Sequence, residues 1–110
     1  MLTLRPKDFA VVHELIARHL PPAVAVWAYG SRVNGNNHEG SDLDLVLRGP
    51  DLTALPVGLL SRFREALTDS NLPIFVDVHD WALLPASFHP RILNRYEVVR
   101  PSVAITAATA

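Results

Sequence analysis

The sequence predicts an α/β domain in which helices cover a small mixed sheet of three to four strands. Three short apolar runs, at 24–29, 43–47 and 74–79, have the length and β-branched composition of strands. Before and between them, apolar residues recur every three or four positions, as on the buried face of a helix. The chain has 110 residues, which is enough for one domain with one core.

The first helix is predicted to begin at Arg5-Pro6, because proline is favoured in the first helical turn. Pro21-Pro22 then ends it before the first strand. A later helix is predicted to begin near Thr53 or Pro56 and to end around Asp69. The buried faces of these two helices are predicted to be Phe9, Val12, Leu15, Ile16 and Leu20 in the first, and Leu59, Leu60, Phe63 and Leu67 in the second.

Beyond the third strand the pattern is less regular. A short helix is predicted around 88–93, with a short edge strand at Val98-Val99. Residues 101–110 are rich in Ala and Thr and carry no charged side chain, so we expect a loosely held tail after a domain that spans 1–100.

Composition argues against several functional classes. The formal net charge is −1, with 10 Lys and Arg against 11 Asp and Glu, so no stable nucleic-acid binding is expected. Cysteine is absent, which excludes disulfides, thiolate metal sites and a cysteine nucleophile. No apolar run approaches the roughly 20 residues of a transmembrane helix, and the N-terminus lacks the pattern of a secretory signal. We therefore expect a cytoplasmic protein with no membrane partner.

The most informative stretch lies at the end of the first strand and the start of the second. Gly30-Ser31 follows the first strand, and after ten intervening residues Asp42 and Asp44 introduce the second strand. Side chains two apart on a strand project to the same side. Two unit charges about 4 Å apart at a protein surface repel by roughly 4 kcal/mol. We therefore expect a cation there, and Mg²⁺ fits best because it prefers carboxylates together with substrate phosphates.

The glycine and serine predict where such phosphates bind. Gly30 permits a sharp turn and close approach of a ligand. Ser31 is predicted to be the N-cap of a short helical turn through Arg32 and Val33, whose N–H groups would face an anion. On the third strand, Asp77 shares one face with His79 and lies among β-branched residues, where a metal or a reacting hydroxyl would explain it.

These residues carry a family resemblance. Gly30-Ser31-Arg32, with Gly35 after it and then Ser41-Asp42-Leu43-Asp44-Leu45, resembles the signature of nucleotidyltransferases with the DNA polymerase β-like fold. Among these, it is similar to the minimal, or MNT-type, members. With each residue type at roughly 5–7% of positions, four fixed positions match by chance about once in 10⁵ starts.

The resemblance implies Mg²⁺-dependent nucleotidyl transfer. It assigns Asp42, Asp44 and Asp77 to catalysis and to two metal ions, with Asp77 as the third carboxylate of the superfamily. Gly30, Ser31 and Arg32 would bind the nucleotide phosphates. For Arg32, a salt bridge to Glu39 or another acid is an equally open alternative. For His79, a core or partner-contact role is favoured over a catalytic one, and the choice stays open.

The resemblance also implies a biological role. MNT-type proteins of this size are typically antitoxins that transfer AMP from ATP to a tyrosine hydroxyl of a HEPN-domain ribonuclease toxin. The expected partners are therefore ATP and such a toxin, in a hetero-oligomer. Two alternatives stay open: an antitoxin that acts by occlusion without catalysis, and a transferase for a hydroxyl of a small molecule.

Overall fold

Helices and strands alternate along the chain in a computed structural model that describes residues 2–38 and 40–103. The elements, in chain order, are α1 (Pro6–His19), β1 (Ala25–Tyr29), α2 (Ser31–Asn34), β2 (Leu43–Arg48), α3 (Leu59–Thr68), β3 (Val76–Asp80), α4 (His89–Asn94) and β4 (Glu97–Arg100). Short 3₁₀ turns at Pro50–Leu52, Trp81–Leu83 and Ala86–Phe88 connect some of them.

The four strands form one mixed sheet in the order β3-β2-β1-β4. Strand β1 is antiparallel to both β2 and β4, whereas β2 and β3 are parallel. A parallel pair needs a long crossover connection, and the segment that contains α3 supplies it. The predicted mixed sheet of three to four strands is confirmed.

Each face of the sheet packs against different partners. One face contributes fully buried residues such as Val26, Ala28 and Leu45 to the main core, together with Ile16 of α1 and Phe63 of α3. The opposite face carries a smaller apolar cluster, which consists of Val46, Trp81 and Ile92 with the partly buried Trp27, Tyr29, Leu84 and Phe88. Side chains of a strand alternate between the two faces of the sheet, so every second side chain of β1 and β2 lies on the face opposite the main core.

The start of α3 differs from its prediction. The helix begins at Leu59 rather than near Thr53 or Pro56, because Gly58 has a left-handed φ of 87°. Upstream, the backbone at Thr53 is extended, and the Leu55 N–H donates to the Asp80 carboxylate at 2.9 Å. A hydrogen bond to a residue 25 positions away therefore delays the helix, and a local sequence pattern does not contain that information.

The C-terminal elements agree with their predictions. Helix α4 covers the predicted 88–93 region, and β4 is an edge strand that includes Val98 and Val99. Of the predicted tail, only residues 101–103 are described; they are exposed, and 104–110 lie outside the described residues. Within the described ranges, no helix is long and apolar enough to cross a membrane.

Asp80 offers a test of how the segment before α3 is held. Its side chain is 3% exposed, and its two carboxylate oxygens accept N–H groups of Leu55 and Ala82 at 2.9 and 3.0 Å. Asp80→Ala removes both acceptors, so we expect a loss of about 2–3 kcal/mol in the free energy of unfolding, measured with urea. Glu65→Ala, on the exposed face of α3, is the control and should change it by less than about 0.5 kcal/mol. Equal effects of the two substitutions would contradict this role.

Candidate active site

The register of the sheet aligns three polar side chains in one row. The β2–β3 pairing places Asp44 beside Asp77, and the β1–β2 pairing places Tyr29 on the other side of Asp44. Residues paired across a sheet project from the same face. The row therefore lies on the face opposite α1 and α3, with the exposed Asp42 two residues before Asp44 on the same side.

The carboxylates of this row repel one another. Burial, together with the negative charges of Asp77 and Asp42, raises the pKa of Asp44 from 3.8 to about 6, although the nearby His79 acts in the opposite direction. The charged form of Asp44 is therefore less favourable in the protein than in water. A cation at this position would relieve both the burial penalty and the repulsion.

The donor set fits a magnesium ion that is shared with a substrate. Within residues 2–38 and 40–103, no three His, Asp or Glu side chains are grouped closely enough to hold a metal ion by themselves. Mg²⁺ does not require such a closed cage, because it commonly binds one or two carboxylates and completes its shell with water and phosphate oxygens. The adjacent Asp44 and Asp77 meet this requirement, and the role of Asp42 as a further ligand stays a prediction.

Gly30 lies directly against the Asp44 carboxylate. A β-carbon at position 30 would overlap the Asp44 side chain, and the φ of Gly30 is 83°. Both conditions favour glycine, which has no β-carbon and adopts positive φ at low cost. The backbone that leads into α2 therefore passes close to the carboxylate row.

The predicted cap of α2 is wrong. Gly30 occupies the N-cap position and Ser31 is the first residue of the helix, because only the glycine adopts the unusual backbone conformation of the turn at low cost. The Ser31 side chain makes no capping hydrogen bond. The Val33 N–H, which was predicted to face an anion, donates instead to the Gly30 carbonyl at 3.0 Å.

Arg32 is held inside the protein. Its side chain is 6% exposed, its Nε donates to the carbonyl of Ser41 at 3.0 Å, and its Nη1 donates to the carbonyl of Thr3 at 3.0 Å. These bonds attach the N-terminal segment and the residue before Asp42 to α2. The contacts of Arg32 therefore support a structural role, and its binding of a phosphate stays a prediction.

Asp77 is oriented by a neighbour on its own strand. His79 Nε2 lies 3.1 Å from Asp77 Oδ2, and the side chains are 37% and 40% exposed, respectively. The other carboxylate oxygen, Oδ1, has no such contact to His79. Because β3 is at the edge of the sheet, Asp77 is accessible to a large molecule that approaches from this side.

Comparison with known proteins decides the family. The sequence model of the nucleotidyltransferase domain family matches residues 12–107, which is most of the chain. The chain belongs to the nucleotidyltransferase family. Its predicted MNT-type membership is also confirmed, since this nucleotidyltransferase is 37% identical over 101 residues to the probable protein adenylyltransferase MntA of Haemophilus influenzae. That match covers 90% of the chain and 84% of the relative.

A solved structure shows the same fold. The nucleotidyltransferase superposes on a chain of a crystal structure described as a toxin-antitoxin with AMP-PNP, with a TM-score of 0.68 and 18% sequence identity. The superposition covers 84% of this chain and 73% of the other. At this identity the match supports the polymerase β-like fold and nothing finer.

Tyr29 of the nucleotidyltransferase lies beside Asp44 in the carboxylate row, whereas its sequence pattern indicated only the end of a strand. Burial, together with the negative charges of Asp44 and Asp77, raises the pKa of its phenol to about 12. The ring is fixed by an edge-on contact with Phe88, at 6.4 Å between ring centroids. The signal in the sequence is its position next to Gly30, but the pairing with Asp44 requires the register.

The raised pKa of Asp44 predicts a pH-dependent effect of Asp44→Asn. Asp44 binds a proton more tightly in the folded state than in the unfolded state. Its contribution to the free energy of unfolding of the wild type should therefore fall as pH rises from about 4 to about 6. Asparagine carries no charge, so Asp44→Asn should stabilise the metal-free protein by about 1 kcal/mol at pH 7.5, a value reduced for solvent screening of a half-exposed group. Urea unfolding in EDTA at pH 7.5 and 4.5 measures this difference, which should shrink at the lower pH.

Glu65→Gln on the exposed face of α3 is the control for that experiment, and we expect less than about 0.5 kcal/mol at either pH. If Asp44→Asn strongly destabilised the metal-free protein at pH 7.5, Asp44 would be a structural residue and the repulsion argument would fail.

The contact between Gly30 and Asp44 predicts a difference between two glycine substitutions. Gly30 and Gly35 have φ values of 83° and 85°, but a β-carbon at position 35 would meet no atom within 4 Å. Gly35→Ala should therefore cost only the backbone strain, about 1–2 kcal/mol. Gly30→Ala should cost more in urea unfolding, and Asp44→Ala in the same chain should recover part of that excess. Equal costs at the two positions would show that Asp44 does not crowd Gly30.

Proposed function

We propose that this nucleotidyltransferase transfers AMP from ATP to a hydroxyl of a partner protein, and that the partner is a HEPN-domain ribonuclease toxin that the transfer inactivates. The observation that carries the proposal is the pairing of Asp44 with Asp77 beside Gly30. A protein that only bound its partner would have no need of adjacent carboxylates that repel each other. The relative named as a probable protein adenylyltransferase supports AMP as the transferred group.

Three carboxylates and the α2 turn have separate tasks in this proposal. Asp42, Asp44 and Asp77 would hold two Mg²⁺ ions, which when bound supply positive charge to the phosphate oxygens and to the attacking and leaving oxygens. Gly30 and Ser31 would accommodate the triphosphate, because glycine leaves the turn beside Asp44 without a side chain and Ser31 adds a hydroxyl at the next position. Arg32 would act through the loop that it holds next to Asp42.

The transfer exchanges one oxygen for another at the α-phosphorus. The acceptor oxygen forms a bond to the α-phosphorus, the bond from that phosphorus to the bridging oxygen of the β-phosphate breaks, and pyrophosphate leaves. Asp77 would accept the proton of the acceptor hydroxyl at Oδ1, since His79 engages Oδ2. A carboxylate that accepts this proton must be reachable by the acceptor, and Asp77 is 40% exposed.

The exposure of the site supports a protein as the acceptor. Asp42 is exposed and Asp77 and His79 are partly exposed on an open sheet face, whereas a site for a small acceptor usually encloses most of its ligand. The described residues provide no separate domain over this face. A partner surface that presents a tyrosine hydroxyl would therefore complete the site from outside.

The proposal predicts label transfer from [α-³²P]ATP. The chain is mixed with the product of the adjacent coding sequence, Mg²⁺ and labelled ATP, and the proteins are separated by electrophoresis. Label should appear on the partner, and Asp44→Asn should reduce the rate by at least about 100-fold. Glu65→Gln should label the partner at the wild-type rate. Neutralisation of the partner without any label would favour occlusion instead, and label on an added small hydroxyl compound but not on the partner would favour the small-molecule alternative.

A further inference from the structure

Within the described part of the chain, the hydroxyl of Tyr29 has no hydrogen-bond partner, although its ring is held by packing. The ring is half-buried and contacts Phe88, so its direction is set by packing. Among the described residues the hydroxyl makes no hydrogen bond, and its oxygen is not sealed from solvent. The ring thus presents an unused polar group at the end of the carboxylate row, next to Asp44.

The surroundings of this hydroxyl leave few uses for it. Ionised Asp42, Asp44 and Asp77 only accept hydrogen bonds, and so do the oxygens of a nucleoside triphosphate. On the β1 side of the row, Tyr29 and Ser31 carry hydroxyls that can donate, whereas His79 lies on the far strand in contact with Asp77. A neutral phenol is a suitable donor to a charged phosphate oxygen.

We infer that the Tyr29 hydroxyl is a nucleotide-binding group that donates a hydrogen bond to a phosphate oxygen of the bound triphosphate. The inference rests on the proposed function, because it requires that the triphosphate bind beside Gly30 and Asp44. Tyr29 is the last residue of β1 and directly precedes Gly30, so Tyr29 and the α2 turn lie at the same end of β1. The contact would hold the triphosphate at the β1 end of the row. The acceptor approaches at the other end, beside Asp77.

The second tyrosine of the chain provides a matched control. The sequence contains two tyrosines, Tyr29 and Tyr96. The ring of Tyr96 stacks on Trp27 at 4.0 Å between centroids, and its side chain is outside the row. Phenylalanine preserves the ring at either position and removes only the hydroxyl, so Tyr29→Phe and Tyr96→Phe differ in their relation to the proposed ligand and not in the chemical change.

The first test measures affinity rather than turnover. Binding of AMP-PNP in the presence of Mg²⁺ is followed by titration calorimetry for wild type, Tyr29→Phe and Tyr96→Phe, and urea unfolding verifies that each variant is folded. We expect Tyr29→Phe to weaken binding by about 10- to 100-fold, as for loss of one hydrogen bond to a charged group. Tyr96→Phe should bind like wild type. Equal affinities of Tyr29→Phe and wild type would overturn the role of Tyr29 and leave the proposed function standing.

The second test needs no substitution at Tyr29. A chain that carries 3-fluorotyrosine at both tyrosines gives two ¹⁹F resonances, which the Tyr96→Phe chain assigns. AMP-PNP with Mg²⁺ should shift the Tyr29 resonance and leave that of Tyr96 in place. A shift of neither resonance, in a chain that binds AMP-PNP by calorimetry, would exclude the contact. Failure of wild type to bind AMP-PNP at all would remove the nucleotide site and with it this role.

Discussion

The parallel pairing of β2 with β3 is the constraint on which the site depends. It brings Asp44 and Asp77 into register, although they lie 33 positions apart in sequence. The antiparallel pairing of β1 with β2 then adds Tyr29 to the row and brings Gly30 against the Asp44 carboxylate. A shift of one residue in either pairing would send the partner side chain to the opposite face. The buried residues that alternate with these side chains along the same strands must face the core. They therefore also fix which side chains meet in the site.

The same packing makes the carboxylate row unstable without a counter-charge. Asp44 is flanked by the partly buried Tyr29 on one side and by Asp77 on the other, and its pKa is raised because of burial and like charge. A row of this kind costs stability in the protein alone and recovers it when a cation binds. The arrangement is therefore informative about function, since nothing in the fold requires two neighbouring carboxylates on the solvent face.

The sequence predicted what depends on periodicity and missed what depends on tertiary contacts. Alternation along β2 and β3 was enough to place Asp42 and Asp44 on one side and Asp77 with His79, and the helical faces of α1 and α3 followed from spacing. The start of α3 was wrong because the distant carboxylate of Asp80 binds Leu55. The prediction of Ser31 as the N-cap was wrong, because Gly30, whose backbone lies against the Asp44 side chain, occupies that position. Tyr29 was missed because its pairing partner is defined by the register and not by any local pattern.

The two sides of the row differ in a way that suggests a division of labour. On the β1 side, Gly30 lies against the Asp44 carboxylate and the half-buried Tyr29 ring packs edge-on against Phe88, so this half is held by packing. On the β3 side, Asp77 and His79 are more than a third exposed on an edge strand, and among the described residues no element covers them. A nucleotide needs a preformed cradle, whereas a protein acceptor carries its own surface with it. A packed β1 side next to an exposed β3 side is therefore what a small transferase requires if a protein substrate covers the β3 side when it binds.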